Sequence, residues 1–251
     1  MLSIDLNCDL GEGMPNDALL MALISSANIA CGGHAGDDDT MKRTVELAVK
    51  HNVVIGAHPS YPDKKNFGRV ELLKNSLRIE DLTDIICTQI TALASICTSF
   101  GTRLHHIKPH GALYNRAAWD EAVSDSICSS IVLINPALLL YGLSGSCMKT
   151  VADSNQLRFV SEVFADRTYQ EDGRLTDRSD AGALIENETQ VMTQVLNMIQ
   201  HGIVISSTGK QVPIKADTIC LHGDGTHAVP FSQMIYKELT KQNIQILPPL
   251  S

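Results

Sequence analysis

The 251-residue chain is poor in aromatic residues, which make up 4% of it, and poor in positive charge, with 20 Lys and Arg against 28 Asp and Glu. This acidic balance disfavours nucleic acids and anionic membrane surfaces as partners, because both are bound through basic patches. No apolar run approaches the roughly 20 residues that cross a bilayer. The first residues lack a basic stretch and reach Asp5 early, which is untypical of a secretory leader. We therefore expect a soluble, cytoplasmic protein with a small-molecule ligand.

Several familiar motifs are also missing. The seven cysteines are odd in number and form no Cys-x-x-Cys pair, so we expect free thiols, with Cys8, Cys31 and Cys220 packed in the core. The sequence contains neither a P-loop nor a Gly-x-Gly-x-x-Gly fingerprint. It also lacks a Gly-x-Ser-x-Gly elbow and a His-Glu-x-x-His pair. None of these common motifs therefore identifies the functional residues.

Short apolar segments alternate with longer segments of helical periodicity, the pattern of repeated β-α units around a parallel sheet. The predicted strands are nearly all apolar, as expected when both faces of a strand are covered. We predict a single domain over residues 1–251. Strands are predicted at residues 3–8, 27–31, 53–57, 103–108, 130–134, 157–163, 218–221 and 244–247, and helices at 38–51 and 80–100 and near 17–25, 119–129, 137–153, 187–201 and 229–242.

Two segments depart from this alternation. Residues 203–214 read as two short strands around a Thr-Gly turn, which predicts an inserted β-hairpin. Residues 165–183 form a long, charged stretch with few apolar positions. Long ordered loops in compact domains are often functional, so we expect this one to contribute to a binding site.

Polar and ionisable residues follow six of the predicted strands. The carboxyl ends of parallel strands meet at one face of a barrel, so residues far apart in sequence are expected to share a pocket there. The catalytic candidates are Asp9, Glu12, His34, His58, Lys108, His110, His222 and Asp224. The substrate-binding candidates are Asn7, Arg69, Tyr114, Asn115, Glu162, Asp166, Arg167 and Arg178.

Each candidate also has a purely structural alternative. A histidine beside Gly and Pro often satisfies loop backbone groups, Asp9 and Glu12 could cap or turn the chain, and each arginine could form a surface ion pair. The functional interpretation makes the acids and histidines general bases or divalent-metal ligands. In it Lys108 stabilises an oxyanion or phosphoryl group, and the arginines bind a carboxylate or phosphate. Residues 37–39, by contrast, are expected to cap a helix.

The candidate residues lie in eight motif-like segments: residues 5–13 (DLNCDLGEG), 27–37 (ANIACGGHAGD), 56–63 (GAHPSYPD), 67–69 (FGR), 108–115 (KPHGALYN), 162–169 (EVFADRTY), 173–178 (GRLTDR) and 220–224 (CLHGD). Taken together, these segments resemble the LamB/YcsF family of 5-oxoprolinase A subunits. The resemblance implies a deformed (β/α) barrel of about seven parallel strands, similar to polysaccharide deacetylases. It also implies hydrolysis of 5-oxo-L-proline to L-glutamate, with Mg²⁺-ATP converted to ADP and phosphate, together with two partner subunits.

The sequence departs from the family pattern at two places. Gly33 stands where the family usually has Phe, which predicts the loss of an aromatic pocket wall near His34, and residues 225–227 also differ. Two other functions remain open. One is a metal-dependent deacetylase or amidohydrolase that needs no ATP, since Asp and His at barrel strand ends suit zinc. The other is a non-catalytic binding subunit. The sequence leaves a protein-bound metal undetermined.

Overall fold

The computed structural model describes residues 2–74, 76–178, 180–221 and 228–250. Its strands are β1 (Ser3–Leu10), β2 (Ser26–Ala30), β3 (Val54–His58), β4 (Leu104–Ile107), β5 (Leu139–Leu143), β6 (Phe159–Phe164), β7 (Ile203–Ile205), β8 (Gln211–Pro213), β9 (Thr218–Leu221) and β10 (Gln245–Ile246). Strands β1 to β6 and β9 are parallel, and β9 pairs with both β6 and β1. The seven strands therefore close into a barrel, which confirms the predicted fold class. Strand β10 pairs in parallel with the first two residues of β1.

Helices surround this barrel. They are α1 (Asp17–Met21), α2 (Asp38–His51), α3 (Leu82–Ser99), α4 (Gly111–Ala117), α5 (Glu121–Ile134), α6 (Met148–Ser154), α7 (Glu188–Leu196) and α8 (Ala228–Lys241). A 3₁₀ turn (Ile79–Asp81) precedes α3, and a π-helical turn (Asn197–His201) extends α7. Helix α2 starts as predicted, because the Asp37 side chain accepts a 2.8 Å hydrogen bond from the Thr40 amide and satisfies a free donor of the first turn.

The interior of the barrel is polar, not apolar as the strand composition suggested. Successive side chains of a strand point to opposite faces, so Asp5, Asn7 and Asp9 of β1 share one face while Leu6 and Cys8 share the other. The inward polar groups bond across the barrel, as when the Tyr141 hydroxyl of β5 donates to Asp5 Oδ2 of β1 at 3.0 Å. The apolar core lies instead between the outer face of the barrel and the helices. The polar side chains of the inner face can therefore contribute to a site at the end of the barrel.

One predicted strand and one predicted helix are wrong. Residues 130–134 are the last turns of α5, because Asp120 caps that helix, and its buried positions Val123, Ile127 and Ile131 recur at helical spacing until the chain reaches Pro136. The fifth strand comes after the proline, at β5, inside the segment expected to be helical. That predicted helix shrinks to α6, and the short helix α4 was not predicted at all.

By length and composition alone, the segment Ile79–Ser99 could cross a membrane, contrary to the absence of such a run noted from the sequence. In the fold it is an outer helix of the barrel. Leu82, Ile86, Ile90 and Leu93 are fully buried on one of its faces, and α3 packs against α5 and β3.

The segment predicted as a hairpin supports the long loop that precedes it. Strands β7 and β8 pair antiparallel, and the Ser207 amide donates to the Tyr169 carbonyl at 2.7 Å. The buried Tyr169 hydroxyl accepts a 2.7 Å hydrogen bond from the Phe164 amide, which ties the loop to the end of β6. Residues 165–178 therefore have an ordered backbone beside the barrel mouth.

Candidate active site at the barrel mouth

The centre of the site is the side chain of Lys108, which follows β4 and is 2% exposed. Its Nζ lies 2.8 Å from Asp9 Oδ1 and 2.9 Å from Glu162 Oε1. It also donates to the Asn7 amide oxygen at 3.3 Å and to the Cys220 sulfur at 3.1 Å. Residues from three different strands, β1, β6 and β9, thus surround a single ammonium group that follows β4.

This ammonium group stays charged although it is buried. Burial alone would lower the pKa of Lys108, but the adjacent carboxylates of Asp9 and Glu162 outweigh burial and hold the pKa well above its usual value. Burial would likewise raise the pKa of Asp9, yet the charges of His58 and Lys108 hold it well below the usual range. Lys108 and Asp9 therefore form an ion pair at the edge of the cavity.

A second layer of polar residues supports Asp9 from inside the barrel. Asn28 Nδ2 donates to Asp9 Oδ1 and to Asn7 Oδ1, each at 2.8 Å, and its carbonyl oxygen accepts from His106 Nε2 at 2.7 Å. The His106 ring stacks on Tyr141 at 4.0 Å, and burial holds its pKa well below the usual value. A Cβ at Gly56 would collide with His106 Nε2, so only glycine leaves room for this ring.

Beside Lys108, a group of four residues brings three imidazoles and a carboxylate together: Glu12, His34, His58 and His110. Their ligand atoms all lie within 4.8 Å of one another. Glu12 Oε1 is 3.0 Å from His34 Nε2, 3.6 Å from His110 Nδ1 and 3.9 Å from His58 Nε2. The rings of His34 and His110 stack with centroids 3.7 Å apart. We call this group the His-Glu cluster.

Backbone carbonyls determine which nitrogens carry protons in this cluster. His58 Nδ1 lies 2.7 Å from the Lys108 carbonyl oxygen, and His110 Nε2 lies 2.9 Å from the Phe67 carbonyl oxygen. Since a carbonyl only accepts, both nitrogens must donate. Burial, reinforced by the charge on His58, lowers the pKa of His34 to about 3 and that of His110 to about 2. Both rings are therefore neutral at pH 7.

Two glycines bring the loops of the His-Glu cluster into contact. The Gly68 carbonyl accepts from the Ala112 amide at 2.9 Å, and a Cβ at Gly111 would lie only 2.6 Å from that carbonyl oxygen. Phe67 and Gly68 both adopt left-handed backbone conformations, which turn the Phe67 carbonyl toward His110. The loops after β3 and β4 are consequently fixed to each other.

A cavity of about 430 Å³ opens above these groups, within the range of small-molecule sites. Its lining includes ten of the sequence candidates: Asp9, Glu12, His58, Arg69, Lys108, His110, Tyr114, Asn115, Arg167 and Arg178. Arg167 is 6% exposed, its Nε makes no hydrogen bond within the described part of the chain, and burial and the nearby charge of Arg178 lower its pKa to about 10. These features make the rim attractive to an anion.

The remaining candidates lie elsewhere. His34 is behind the cavity wall, stacked on His110. Asn7 and Glu162 are fully buried beneath the cavity, where they contact Lys108. Asp166 is not part of the cavity lining. None of these three residues is therefore positioned for the direct substrate contact that was predicted for it. His222 and Asp224 lie outside the described residues, as do residues 225–227.

Sequence reasoning missed several residues of the site. Arg174 lines the cavity and places its guanidinium 4.2 Å from the ring centre of Trp119, another lining residue. Cys220 is buried in an apolar cluster as predicted, but its sulfur also lies 3.1 Å from Lys108 Nζ, which was not predicted. All seven cysteines are free thiols, as expected. Arg174 lies inside the segment 173–178 that carries part of the family resemblance, so it could have been predicted as a site residue from the sequence. Trp119, the chain's single Trp, lies outside all of these segments, so no motif predicted that it belongs to the site.

The expectation that Gly33 opens the pocket is wrong. A Cβ at Gly33 would collide with Gln89 Oε1 and lie 2.5 Å from Ser60 Oγ, and neither of these residues lines the cavity. Gln89 occupies this space and bonds both the amide and the carbonyl of Ser60. The aromatic contact to His34 is supplied by Phe67, whose ring centre is 5.2 Å from that of His34.

Comparison with known proteins assigns the family. The model of the LamB/YcsF family matches residues 4–251. The chain belongs to the LamB/YcsF family. The 5-oxoprolinase A subunit of Bacillus cereus strain Q1 is 46% identical over 255 residues, covering 99% of this chain and all of that protein. The crystal structure of a lactam utilization protein from Thermus thermophilus matches with a TM-score of 0.93 at 33% identity, covering 99% of this chain and 100% of the other.

A more distant structural likeness concerns the fold alone. The catalytic domain of a peptidoglycan N-acetylglucosamine deacetylase from Eubacterium rectale superposes with a TM-score of 0.52 at 14% identity, covering 99% of this chain and 88% of that one. The LamB/YcsF barrel is therefore of the deacetylase-like kind, as the sequence motifs implied.

Proposed function

We propose that this LamB/YcsF protein is the A subunit of an ATP-dependent 5-oxoprolinase, which hydrolyses 5-oxo-L-proline to L-glutamate as ATP becomes ADP and phosphate. The observation that carries the proposal is the buried Lys108–Asp9 ion pair at the floor of an arginine-lined cavity. The close similarity to a 5-oxoprolinase A subunit and to a lactam utilization protein supports the choice of a lactam. We further propose that the protein acts in the cytoplasm with two partner subunits.

The cavity suits the two ends of 5-oxoproline. Its carboxylate would lie at the rim, where Arg69, Arg167 and Arg178 offer guanidinium groups and the Arg167 Nε lacks a hydrogen bond in the described structure. The lactam ring would then extend inward, toward the Lys108 ammonium. Tyr114, 4% exposed, and Phe164 are apolar surfaces for the ring methylenes.

A lactam resists hydrolysis because amide resonance makes its carbonyl carbon a poor electrophile. Transfer of the terminal phosphoryl group of ATP to the carbonyl oxygen would create a better centre for the addition of water. The ring C–N bond would then break as the nitrogen takes up a proton, which leaves an acyl phosphate of glutamate. A second water would hydrolyse this acyl phosphate to glutamate and phosphate. Lys108 is placed to neutralise negative charge on the lactam carbonyl oxygen. Asp9, close to both Lys108 and His58, is placed to orient the water.

In this proposal His110 supports the site and does not contact the substrate. Both of its ring nitrogens are engaged, one with the Phe67 carbonyl and one facing His58 at 2.9 Å, so it has no proton to offer a substrate. Its role in the proposal is to hold His58 and Glu12 in place. Lys108 alone then provides the cation at the lactam oxygen.

The residues present also suit an anionic co-substrate. The chain lacks a P-loop, but the cavity lining supplies four arginines and Lys108, the donors that bind phosphoryl oxygens in other proteins. Mg²⁺ would arrive bound to the nucleotide. ATP could be shared with one of the partners, and the same partners would supply the nucleotide motif that this sequence lacks.

One observation favours a second function, a metal-dependent amidohydrolase that needs no ATP. The His-Glu cluster adjoins the cavity and has the donor set of a metal centre. That function predicts lactam or amide cleavage by the isolated chain, with metal and without nucleotide. A purely binding subunit, by contrast, predicts full activity of the assembly whatever side chain replaces Lys108.

The test is glutamate release from 5-oxoproline by the purified chain, alone and mixed with its two partner subunits, each with and without Mg²⁺-ATP. The proposal expects release only when partners and ATP are both present, with ADP formed alongside glutamate. Release by the isolated chain without ATP would favour the amidohydrolase. No release from a correctly assembled mixture would refute 5-oxoproline as the substrate.

A further inference from the structure

We propose that the His-Glu cluster binds one divalent transition-metal ion, of the class to which Zn²⁺ belongs, through Glu12 Oε1, His34 Nε2, His58 Nε2 and His110 Nδ1. This inference goes beyond the lactam reaction proposed above, since the site would exist whether or not 5-oxoproline is the substrate. It rests on the positions of four donor atoms and on the hydrogen bonds that determine their protonation.

The first argument concerns two nitrogens that face each other. His58 Nε2 and His110 Nδ1 lie 2.9 Å apart, and the opposite nitrogen of each ring already donates to a backbone carbonyl. Two neutral imidazoles in this arrangement would direct lone pairs at each other. Either a proton shared between them or a cation that both coordinate removes this repulsion, and the nearby Glu12 carboxylate offers a third donor to a cation.

The second argument is the size of the cluster. Four ligands about 2.1 Å from a tetrahedral ion are separated from one another by roughly 3.4 Å. The separations found here scatter around that value: 2.9 Å between His58 and His110, 3.0 Å between Glu12 and His34, and 3.6 Å and 3.9 Å from Glu12 to the other two rings. The two remaining separations, from His34 Nε2 to the other two rings, are at most 4.8 Å, so side-chain shifts of up to about an ångström would bring all four atoms around one ion.

The third argument is the support behind the ligands. Metal-bound histidines usually donate their other ring nitrogen to a carbonyl or carboxylate, which fixes the tautomer and the ring orientation. His58 does so to Lys108 and His110 does so to Phe67, both through backbone oxygens. Neither ring would have to rotate or exchange tautomers before binding the ion. Asp9 Oδ2, 3.3 Å from His58 Nε2, adds a second negative charge nearby.

The donor set also selects the ion. Three imidazole nitrogens and one carboxylate oxygen suit Zn²⁺, Co²⁺ or Ni²⁺, whereas Mg²⁺ and Ca²⁺ prefer oxygen ligands. The ion is therefore distinct from the Mg²⁺ that accompanies ATP. Because Glu12, His58 and His110 line the cavity, an ion among them would be accessible to a ligand and could polarise a carbonyl group there.

His34 is expected to be the weakest ligand. Its Nε2 now contacts Glu12, and its Nδ1 is buried without a hydrogen bond in the described structure. Coordination through Nε2 would move the proton to Nδ1 and leave a buried donor without an acceptor, which is unfavourable. Coordination by His58 or His110 would not leave a buried donor unpaired, because the other nitrogen of each ring already donates to a backbone carbonyl.

The test is metal binding by the isolated full chain after dialysis against a chelator. We would titrate it with Co²⁺, recording the visible absorption of four-coordinate cobalt, and with Zn²⁺ in competition, and then count bound zinc after gel filtration. The expected result is one ion per chain, cobalt bands typical of tetrahedral nitrogen and oxygen ligation, and a rise in melting temperature with free Zn²⁺.

Matched variants locate the site. Glu12→Gln and His110→Asn should each weaken zinc binding more than about tenfold, since even outer partners of metal ligands change affinity by about 10- to 100-fold, and His34→Asn should have the smallest effect of the ligand changes. His51→Asn, at the exposed end of α2, is the control. Circular dichroism of each variant checks that it is folded.

Two outcomes would overturn the proposal. The first is that the folded wild-type chain binds less than one zinc ion per ten chains. A proton shared between His58 and His110 would then be the remaining explanation of their contact. The other is unchanged zinc affinity in folded Glu12→Gln and His110→Asn. Because the readout is binding by the chain alone, neither outcome depends on 5-oxoproline, ATP or partner subunits.

Discussion

Lys108 Nζ and Asp9 Oδ1 lie 2.8 Å apart, with 3% and 12% of their side chains exposed. The two residues come from strands that are not adjacent in the barrel, since β2 and β3 lie between β1 and β4. Their contact therefore crosses the barrel mouth. A charge pair in this position is available to a ligand in the cavity above while it is excluded from bulk water.

Replacement of Lys108 by Met should destabilise the fold by roughly 3–5 kcal/mol, because it leaves the buried carboxylates of Asp9 and Glu162 without a partner. Urea denaturation would measure this loss. Adding Glu162→Gln to Lys108→Met should recover part of the stability, because it removes one of the two uncompensated charges. A double variant less stable than the single one would contradict the ion-pair account.

Gly56→Ala should destabilise the barrel by roughly 1–3 kcal/mol, since the new methyl group would overlap the His106 ring. The double variant Gly56→Ala with His106→Ala removes the clash. Its stability should lie closer to that of His106→Ala alone than additivity predicts, which thermal or urea unfolding can measure. Additive losses would show that the ring and the glycine do not interact.

Acid should destabilise the protein through His106. Burial lowers the pKa of His106 in the folded state, so below the unfolded value of about 6.5 the unfolded chain binds a proton that the folded chain does not. The stability contributed by this group is thus present above that pH and is lost as the pH falls. His106→Gln should reduce the slope of unfolding free energy against pH by up to about 1.4 kcal/mol per unit between pH 6 and 5. An identical slope in the variant would show that His106 titrates normally.

The rim arginines should recognise the carboxylate of the substrate. Arg178→Gln or Arg69→Gln should raise KM for 5-oxoproline by about tenfold with a smaller effect on kcat, since each removes a charge-assisted hydrogen bond. The matched substrate is 2-pyrrolidinone, the same lactam without the carboxylate, whose turnover should respond little to these changes. Arg43→Gln on the exposed part of α2 is the control variant. Equal effects on both lactams would place the carboxylate elsewhere.

The sequence was sufficient for the outline of the fold and for most of the site. The residues at the carboxyl ends of β1, β3 and β4 could be assigned to one face because parallel strands end together, and the structure brings Asp9, His58 and Lys108 within contact distance. The polar interior of the barrel was harder to predict from the sequence. Asp5 and Asn7 alternate with apolar residues, but in short strands this alternation was outweighed by the apolar majority.

The remaining errors have two sources: a local pattern that fits two structures, and tertiary contacts that no local pattern encodes. The strand assigned to residues 130–134 failed because an apolar run of that length fits a buried helix equally well, and only the cap at Asp120 and the break at Pro136 decide it. The position of Gly33 depends on Gln89, more than fifty residues away. The tautomers of His58 and His110 likewise depend on carbonyl groups in other loops.

The most direct test of the account is glutamate release from 5-oxoproline by the enzyme assembled with partners and Mg²⁺-ATP, comparing the wild-type chain with Lys108→Met combined with Glu162→Gln. The account predicts a loss of turnover of about 10²- to 10³-fold in a complex that still assembles, because the cation at the lactam oxygen is gone. Wild-type turnover by that assembled variant would contradict it and assign the chemistry to the partner subunits.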